Sequence, residues 1–238
     1  WNILRTVNGL FFFCITGKSV FYKARCYAQD VRNVMNIEKN IEKNIEQYKK
    51  SFSNCADIKM IDMYLGAEKK CHCFIAYIEV VLENTAFEKN AVGRFIKALE
   101  DIPNEKMSDY LDENAMGISD ITYMNTIEDT INGMLTGDAI MFFDGYDKAI
   151  KIADKGYPGM SVQESDSEKV IRGSNESFNE SVKINTALIR KRLRTNLVKV
   201  KEHIHGVRSK TNVNIVYMEG IAYDGLVDEI EKRLDEYE

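Results

Sequence analysis

Proline is nearly missing from this chain, with Pro103 and Pro158 alone in 238 residues, and histidine is scarce at three. So few prolines exclude collagen-like tracts, mucin-like stalks and polyproline linkers. Three imidazoles and no Gly-x-Ser-x-Gly elbow leave little material for the commoner forms of nucleophilic or acid–base catalysis. Long apolar runs are lacking as well. The longest, Gly9 to Thr16, is far short of the roughly 18 residues that cross a bilayer, so no segment reads as a membrane span. The five cysteines (Cys14, Cys26, Cys55, Cys71, Cys73) form an odd, scattered set, read as free thiols of a reducing compartment. What is present suits a compact protein: 45% apolar residues can fill a core, and the length predicts one large domain or two small ones. A formal charge of −5 gives no overall attraction to nucleic acid or anionic lipid, so binding of that kind would need a local patch.

Composition changes near Met35. Residues 1–34 carry five bases and one acid, and read as a leader or upstream extension outside the domain; a signal peptide is the competing reading. Thereafter the periodicity predicts a helix over about 36–52 (Ile37, Ile41, Ile45, Tyr48, Phe52), strands over 57–64 and 71–79, and a helix over 85–99. An acid-rich stretch after Pro103 reads as a linker, giving a first subdomain at 35–102, a linker at 103–125 and a second subdomain at 126–238. The second begins with Thr126 as a helix cap, paired with Asp129. Strands at 139–143 and 148–153 follow across Asp144-Gly145-Tyr146-Asp147, then a loop and a long helix carrying Phe178, Val182, Ile189 and Leu193, with Ser174 as its expected cap. Strands at 197–204 and 212–218 and a closing helix with Leu226, Ile230 and Leu234 complete the chain.

An ungapped shift of 140 residues aligns Gly66 with Gly206, Lys70 with Lys210, Ile75 with Ile215, Tyr77 with Tyr217 and Glu79 with Glu219. Ile58 and Met60 fall on Val198 and Val200, so one order of elements occurs twice. The fold class expected is therefore α/β (α+β), with two related αββα subdomains, each a small sheet covered by helices.

Tests for chemistry return little. Thr16-Gly17-Lys18-Ser19 resembles the end of a phosphate-binding loop, but Phe12 occupies the position of its first glycine. On a strand, Cys71 and Cys73 face away from His72, and His203 with His205 supply only half of a tetrahedral set, so the histidines read as structural and no metal or cofactor is implied. Charge placement says more. Arg190 to Lys210 holds eight bases and one acid, whereas Glu219 to Glu238 holds eight acids and two bases. Solvated helix faces with dipole-matched ends account for this, and the sharper reading is a pair of docking surfaces that meet a partner or another copy of the chain. Asn185 sits on the apolar stripe of its helix and must find buried partners, with Arg172, Gly173 and Glu176 in the preceding loop as candidates. Arg172, Gly173, Glu176, Asn185, Arg190 and Arg192 are the candidate contact residues; none is assigned a catalytic role.

Several motifs occur in order: Gly137-Asp138, Phe143 to Ala149, Val170-Ile171-Arg172-Gly173, Asn185 to Leu193, Arg208 to Thr211, and Tyr217 to Ala222. Together they resemble the N-terminal soluble domain of the A subunit of GerA-family spore germination receptors, from about Met35 onward. Ser174, Asn175 and Ser177 depart from that family's loop pattern, as do Ser165 and Tyr157. The resemblance implies a non-enzymatic subunit at the spore inner membrane, facing the cytoplasmic side, that works with B and C subunits to convert nutrient sensing into germination; a homo-oligomer is the further expectation that the charge runs raise. Membrane association would come through a following segment that this sequence does not contain. No nucleic acid is implied. The alternative is a soluble module that holds a small polar molecule between two lobes.

Overall fold

A computed structural model describes residues 5–7, 10–12, 35–80, 91–112, 121–153, 178 and 180–236. In chain order the elements are β1 (Arg5–Val7), β2 (Leu10–Phe12), α1 (Ile41–Ser51), β3 (Ile58–Leu65), β4 (Cys71–Ile78) and α2 (Ala91–Leu99). A 3-10 turn (Asn104–Lys106) then leads into α3 (Met107–Asp112), β5 (Ile121–Met124), α4 (Ile127–Leu135), β6 (Ala139–Phe143) and β7 (Ala149–Ile152). The rest is α5 (Val182–Arg192), β8 (Val198–His205), β9 (Thr211–Met218) and α6 (Leu226–Asp235).

The strands form two sheets, one of five in the order β3-β4-β6-β7-β5 and one of four in the order β1-β2-β9-β8. In the first, every pairing is antiparallel. Its central strands are apolar on both faces: all of β6 and six consecutive residues of β4 are buried. A strand of that kind requires cover on each side. Cys73, Ile75, Met141 and Phe143 pack under α2 and α3 through Val92, Phe95, Leu99 and Met107. Phe74, Ala76, Ile140 and Phe142 pack under α1 and α4 through Ile41, Ile45, Tyr48 and Met134. The first lobe is thus helix, sheet, helix in three layers.

This pairing corrects the expected partition. β6 and β7 join β4, with Cys73 opposite Phe143 and Ala76 opposite Ile140, so residues 126–152 extend the first sheet. The stretch read as a linker supplies α3 and the edge strand β5 to that same lobe. An all-apolar β6 cannot sit at an edge, which is why it is drawn into the existing sheet. In residues 1–34, β1 pairs with β2, and β2 runs parallel to β9.

The duplication is reproduced in the geometry. β8 and β9 begin and end 140 residues after β3 and β4, and the registers match, Ile58 with Ile78 and Val198 with Met218. Both hairpins turn on a glycine in the left-handed region, Gly66 at φ +89° and Gly206 at +85°. α5 packs on one face of β8 and β9 through Val182, Ile189, Val198, Val216 and Met218. α6 meets the alternate face, where Glu231 takes bonds from Lys201 at 2.9 Å and His203 at 3.0 Å.

Caps set the helix starts. Asn40 accepts from Glu42 N–H at 3.0 Å, so α1 begins later than the apolar periodicity suggests. Thr126 caps α4 as expected, accepting from Asp129 N–H at 3.1 Å. α5 is capped by Ser181 and not by Ser174, which lies outside the described residues.

Candidate functional site

The two lobes meet at a joint built from the end of α1, the segment before β3, α5 and β8. After α1, Asn54 adopts φ +57° and the chain turns to lie beside the outer edge of β8. There Val200 N–H donates to Asn54 O at 2.8 Å and Ala56 N–H donates to Val200 O at 2.9 Å, a single parallel bridge centred on Cys55. The Cys55 thiol donates to Val198 O at 3.6 Å, and burial pushes its pKa up against the opposing pull of Arg190.

Asp57, next along, receives Arg190 from α5. Nε donates to Oδ2 at 2.7 Å and Nη2 to Oδ1 at 3.0 Å, a two-pronged pair across the joint, while Nη1 donates to Thr195 O at 3.1 Å. Arg190 has no exposed surface and Asp57 retains 8%. Burial acts against the guanidinium charge, and the hydrogen bonds and charge of Asp57 outweigh it, holding the Arg190 pKa above its ordinary value.

Two lysines flank this pair. Lys199, 2% exposed, donates to Ser51 O at the end of α1 at 3.2 Å and lies 3.4 Å from Glu219. Lys183 of α5 reaches Glu79 of the first lobe at 2.9 Å, and Glu79 also lies 3.5 Å from Lys59. Lys59 with Glu79 and Lys199 with Glu219 are repeat equivalents, and each pair takes a contact from the opposite lobe. The joint is charged, buried at its centre and demanding in geometry. It can fix one relative placement of the lobes. A cleft of about 230 Å³ opens beside it, lined from the first lobe by Glu128, Ile131 and Leu135 and from the second by Arg194, Thr195 and Asn196.

Of the residues picked from sequence, Asn185 and Arg190 are both wholly buried on α5, and Arg192 is exposed near its end. Arg172, Gly173 and Glu176 lie outside the described residues. Arg190 is therefore no part of a surface patch. The opposed charge runs also meet within the chain, at Lys199 with Glu219 where β8 pairs with β9, and at Lys201 and His203 with Glu231 where α6 folds back on β8. Sequence reasoning missed Asp57, Lys183, Glu79 and Lys199. The repeat held a signal for two of them, since Lys59/Lys199 and Glu79/Glu219 recur in both copies. Among the described residues, no cluster of three or more His, Cys, Asp or Glu could hold a metal ion. His72 instead lies 3.2 Å from Asp62 and stacks on Tyr64.

Comparison with known proteins decides the family: the model of the Bacillus/Clostridium GerA spore germination protein matches residues 46–238. The chain belongs to the GerA spore germination family. It is 31% identical over 161 residues to the uncharacterized membrane protein YfkQ of Bacillus subtilis, covering 68% of this chain and 31% of that protein. It is 28% identical over 203 residues to B. subtilis spore germination protein B1, covering 84% and 41%. The chain thus spans about a third to two fifths of the length of these relatives. Its fold matches the crystal structure of the N-terminal domain of the A subunit of the Bacillus megaterium spore germinant receptor GerK3, at a TM-score of 0.65 and 22% identity over 85% of this chain and 74% of that one. No described helix of this GerA-family chain is long and apolar enough to cross a membrane.

Proposed function

We propose that this chain serves as the N-terminal domain of the A subunit of a spore germinant receptor, and that it couples nutrient sensing to germination by passing partner contacts across the joint between its lobes. Family membership and the shared fold support the receptor role. The observation that carries the coupling is the buried Arg190–Asp57 pair, which ties the placement of one lobe to that of the other. In this reading the domain makes and breaks no covalent bonds. Its partners are B- and C-type receptor subunits, and it works at the cytoplasmic face of the spore inner membrane, held there by the part of the relatives' length that lies outside this chain.

Exchanging the pair for apolar residues tests coupling apart from stability, because such replacements of buried ion pairs are often neutral. Spores whose receptor gene carries Arg190→Met with Asp57→Leu should hold the receptor at its normal level and lose most nutrient-triggered germination. Normal germination in these spores would overturn the coupling.

The cleft beside the joint favours a second reading, a small polar ligand held between the lobes, since it sets Glu128 and Arg194 around the apolar Ile131 and Leu135. A rise in melting temperature with free amino acids or sugars, lost in Arg194→Ala, would support it. Stabilisation by partner subunits alone would favour coupling.

A further inference from the structure

The tip of the β8–β9 hairpin plays no part in the joint. Ile204 is 67% exposed and Val207 79%, and residues 207–212 are all exposed. From His203 to Val213 the chain carries two fixed cations, Arg208 and Lys210, and no acid. Gly206 and Lys210 both adopt positive φ, and Lys210 N–H donates to Gly206 O at 3.0 Å, so a closed turn holds Val207 and Arg208 at its apex.

The duplicate hairpin is tied to its own chain at the base of its turn, where Leu65 and Gly66 are buried, while residues 67–70 are exposed as in the second tip. Ala67 N–H donates to Ile102 O at 2.9 Å, and Glu68 pairs with Lys70 at 2.6 Å. At equivalent positions the second tip has Val207 for Ala67, Ile204 for Tyr64 and Arg208 for Glu68. Between copies of one hairpin, the second tip has Val for Ala, a branched aliphatic for the 59%-exposed Tyr64, and no acid. Exposed branched aliphatics beside unopposed bases fit a lipid interface, where cations meet phosphate headgroups while the aliphatics enter the acyl boundary. Nucleic acid would reward the bases and gain nothing from Ile204 or Val207. The net charge of −5 makes a local patch of this kind the one route to such a surface.

We propose that the β8–β9 tip, through Ile204, Val207, Arg208 and Lys210, docks on an anionic lipid surface. The contact is small and depends on salt. It does not rest on the coupling function, and its test leaves the joint untouched.

The 238-residue chain should co-sediment at low ionic strength with phosphatidylglycerol-rich vesicles, and not with phosphatidylcholine alone. Raised salt should release it. Because each base near such a surface is worth about fivefold in binding, Arg208→Glu with Lys210→Glu should weaken it more than about 25-fold. Ile204→Ser with Val207→Ser keeps the charge and should still lower binding several-fold. All four positions are exposed, so melting temperatures should match the parent. Lys69→Glu with Lys70→Glu at the first tip should bind as the parent does. Failure of the parent to bind anionic vesicles, equal binding to neutral ones, or full binding by either tip variant would overturn the proposal. So would a concentration-dependent dimer that Val207→Ser abolishes, because the tip would then be a contact between copies of the chain.

Discussion

A guanidinium with no exposed surface must find its partners inside the protein, and Arg190 finds them in Asp57 and in the carbonyl of Thr195. Asp57→Ala would leave that charge buried and unpaired, and should lower stability by about 3–5 kcal/mol in urea denaturation. Adding Arg190→Met to Asp57→Ala should recover much of the loss, giving a large coupling term in the double-mutant cycle. A loss below about 1 kcal/mol for Asp57→Ala would mean that the pair does not hold the joint. Sequence reasoning reached one end of this contact only. Asn185 betrayed its burial by lying on an apolar stripe, but Arg190 stands beside Lys191 and Arg192 and looks like one more surface base. What distinguishes it is Asp57, 133 residues away in sequence, and no local periodicity carries that information.

Elements are where the sequence speaks most plainly. The two hairpins were legible from the 140-residue shift, down to the glycine that turns each, and the caps at Asn40 and Thr126 are set by side chains one can read. β5 was hidden because it is only four residues long and follows an acid-rich stretch. The pairing of β6 with β4 was hidden because an apolar run shows that a strand is buried and not which strand lies beside it. The duplicated turns also give a controlled comparison. Gly66→Ala and Gly206→Ala share the backbone cost of positive φ, about 1–2 kcal/mol. At Gly66 the new methyl would also lie 2.6 Å from Asn104 Oδ1 and 3.1 Å from the fixed Ile102 carbonyl, whereas at Gly206 it would meet the Ser209 hydroxyl, which can rotate away. Gly66→Ala should therefore be the more destabilising in denaturant melts; equal losses would mean that the first turn yields as easily as the second. α6 gives a prediction in pH. Burial would raise the Glu231 pKa, but hydrogen bonds and charge from Lys201 and His203 bring it below its ordinary value. A depressed carboxyl contributes stability above its unfolded pKa of about 4.5 and loses it as pH falls through the folded value. Lys201, raised by Glu231, contributes below its own unfolded value and loses that only in alkali. Hydrogen exchange in α6 should thus accelerate as pH drops below about 4.5, after correction for intrinsic rates, and Glu231→Gln should flatten the change.

At the scale of the whole molecule, the lobes differ in how much they bury. The first carries two clusters that together take in both faces of its sheet. In the second, among the described residues, Ala187, Leu188, Ile189, Val198, Val200, Val213 and Ile215 are buried, with Val182, Val216 and Met218 packed against Ile189 and Val198. That is a smaller core than the two clusters of the first, and it contributes less stability on its own. The second lobe therefore leans on its dock, which among the described residues includes one parallel bridge, the Cys55 thiol on Val198 O, the Arg190–Asp57 pair, and the reach of Lys199 and Lys183 to Ser51 and Glu79. Local openings of a folded protein follow such divisions of contact. In native-state hydrogen exchange the amides of β4 and β6 should open with the largest free energies, and those of β8 and β9 with smaller ones. Arg190→Ala should lower protection throughout α5, β8 and β9 while leaving β4 and β6 as they were, because it loosens the dock and not the first core. If it lowered protection equally in both sheets, the molecule would be one cooperative unit, and a signal could not pass through the joint by moving one lobe against the other.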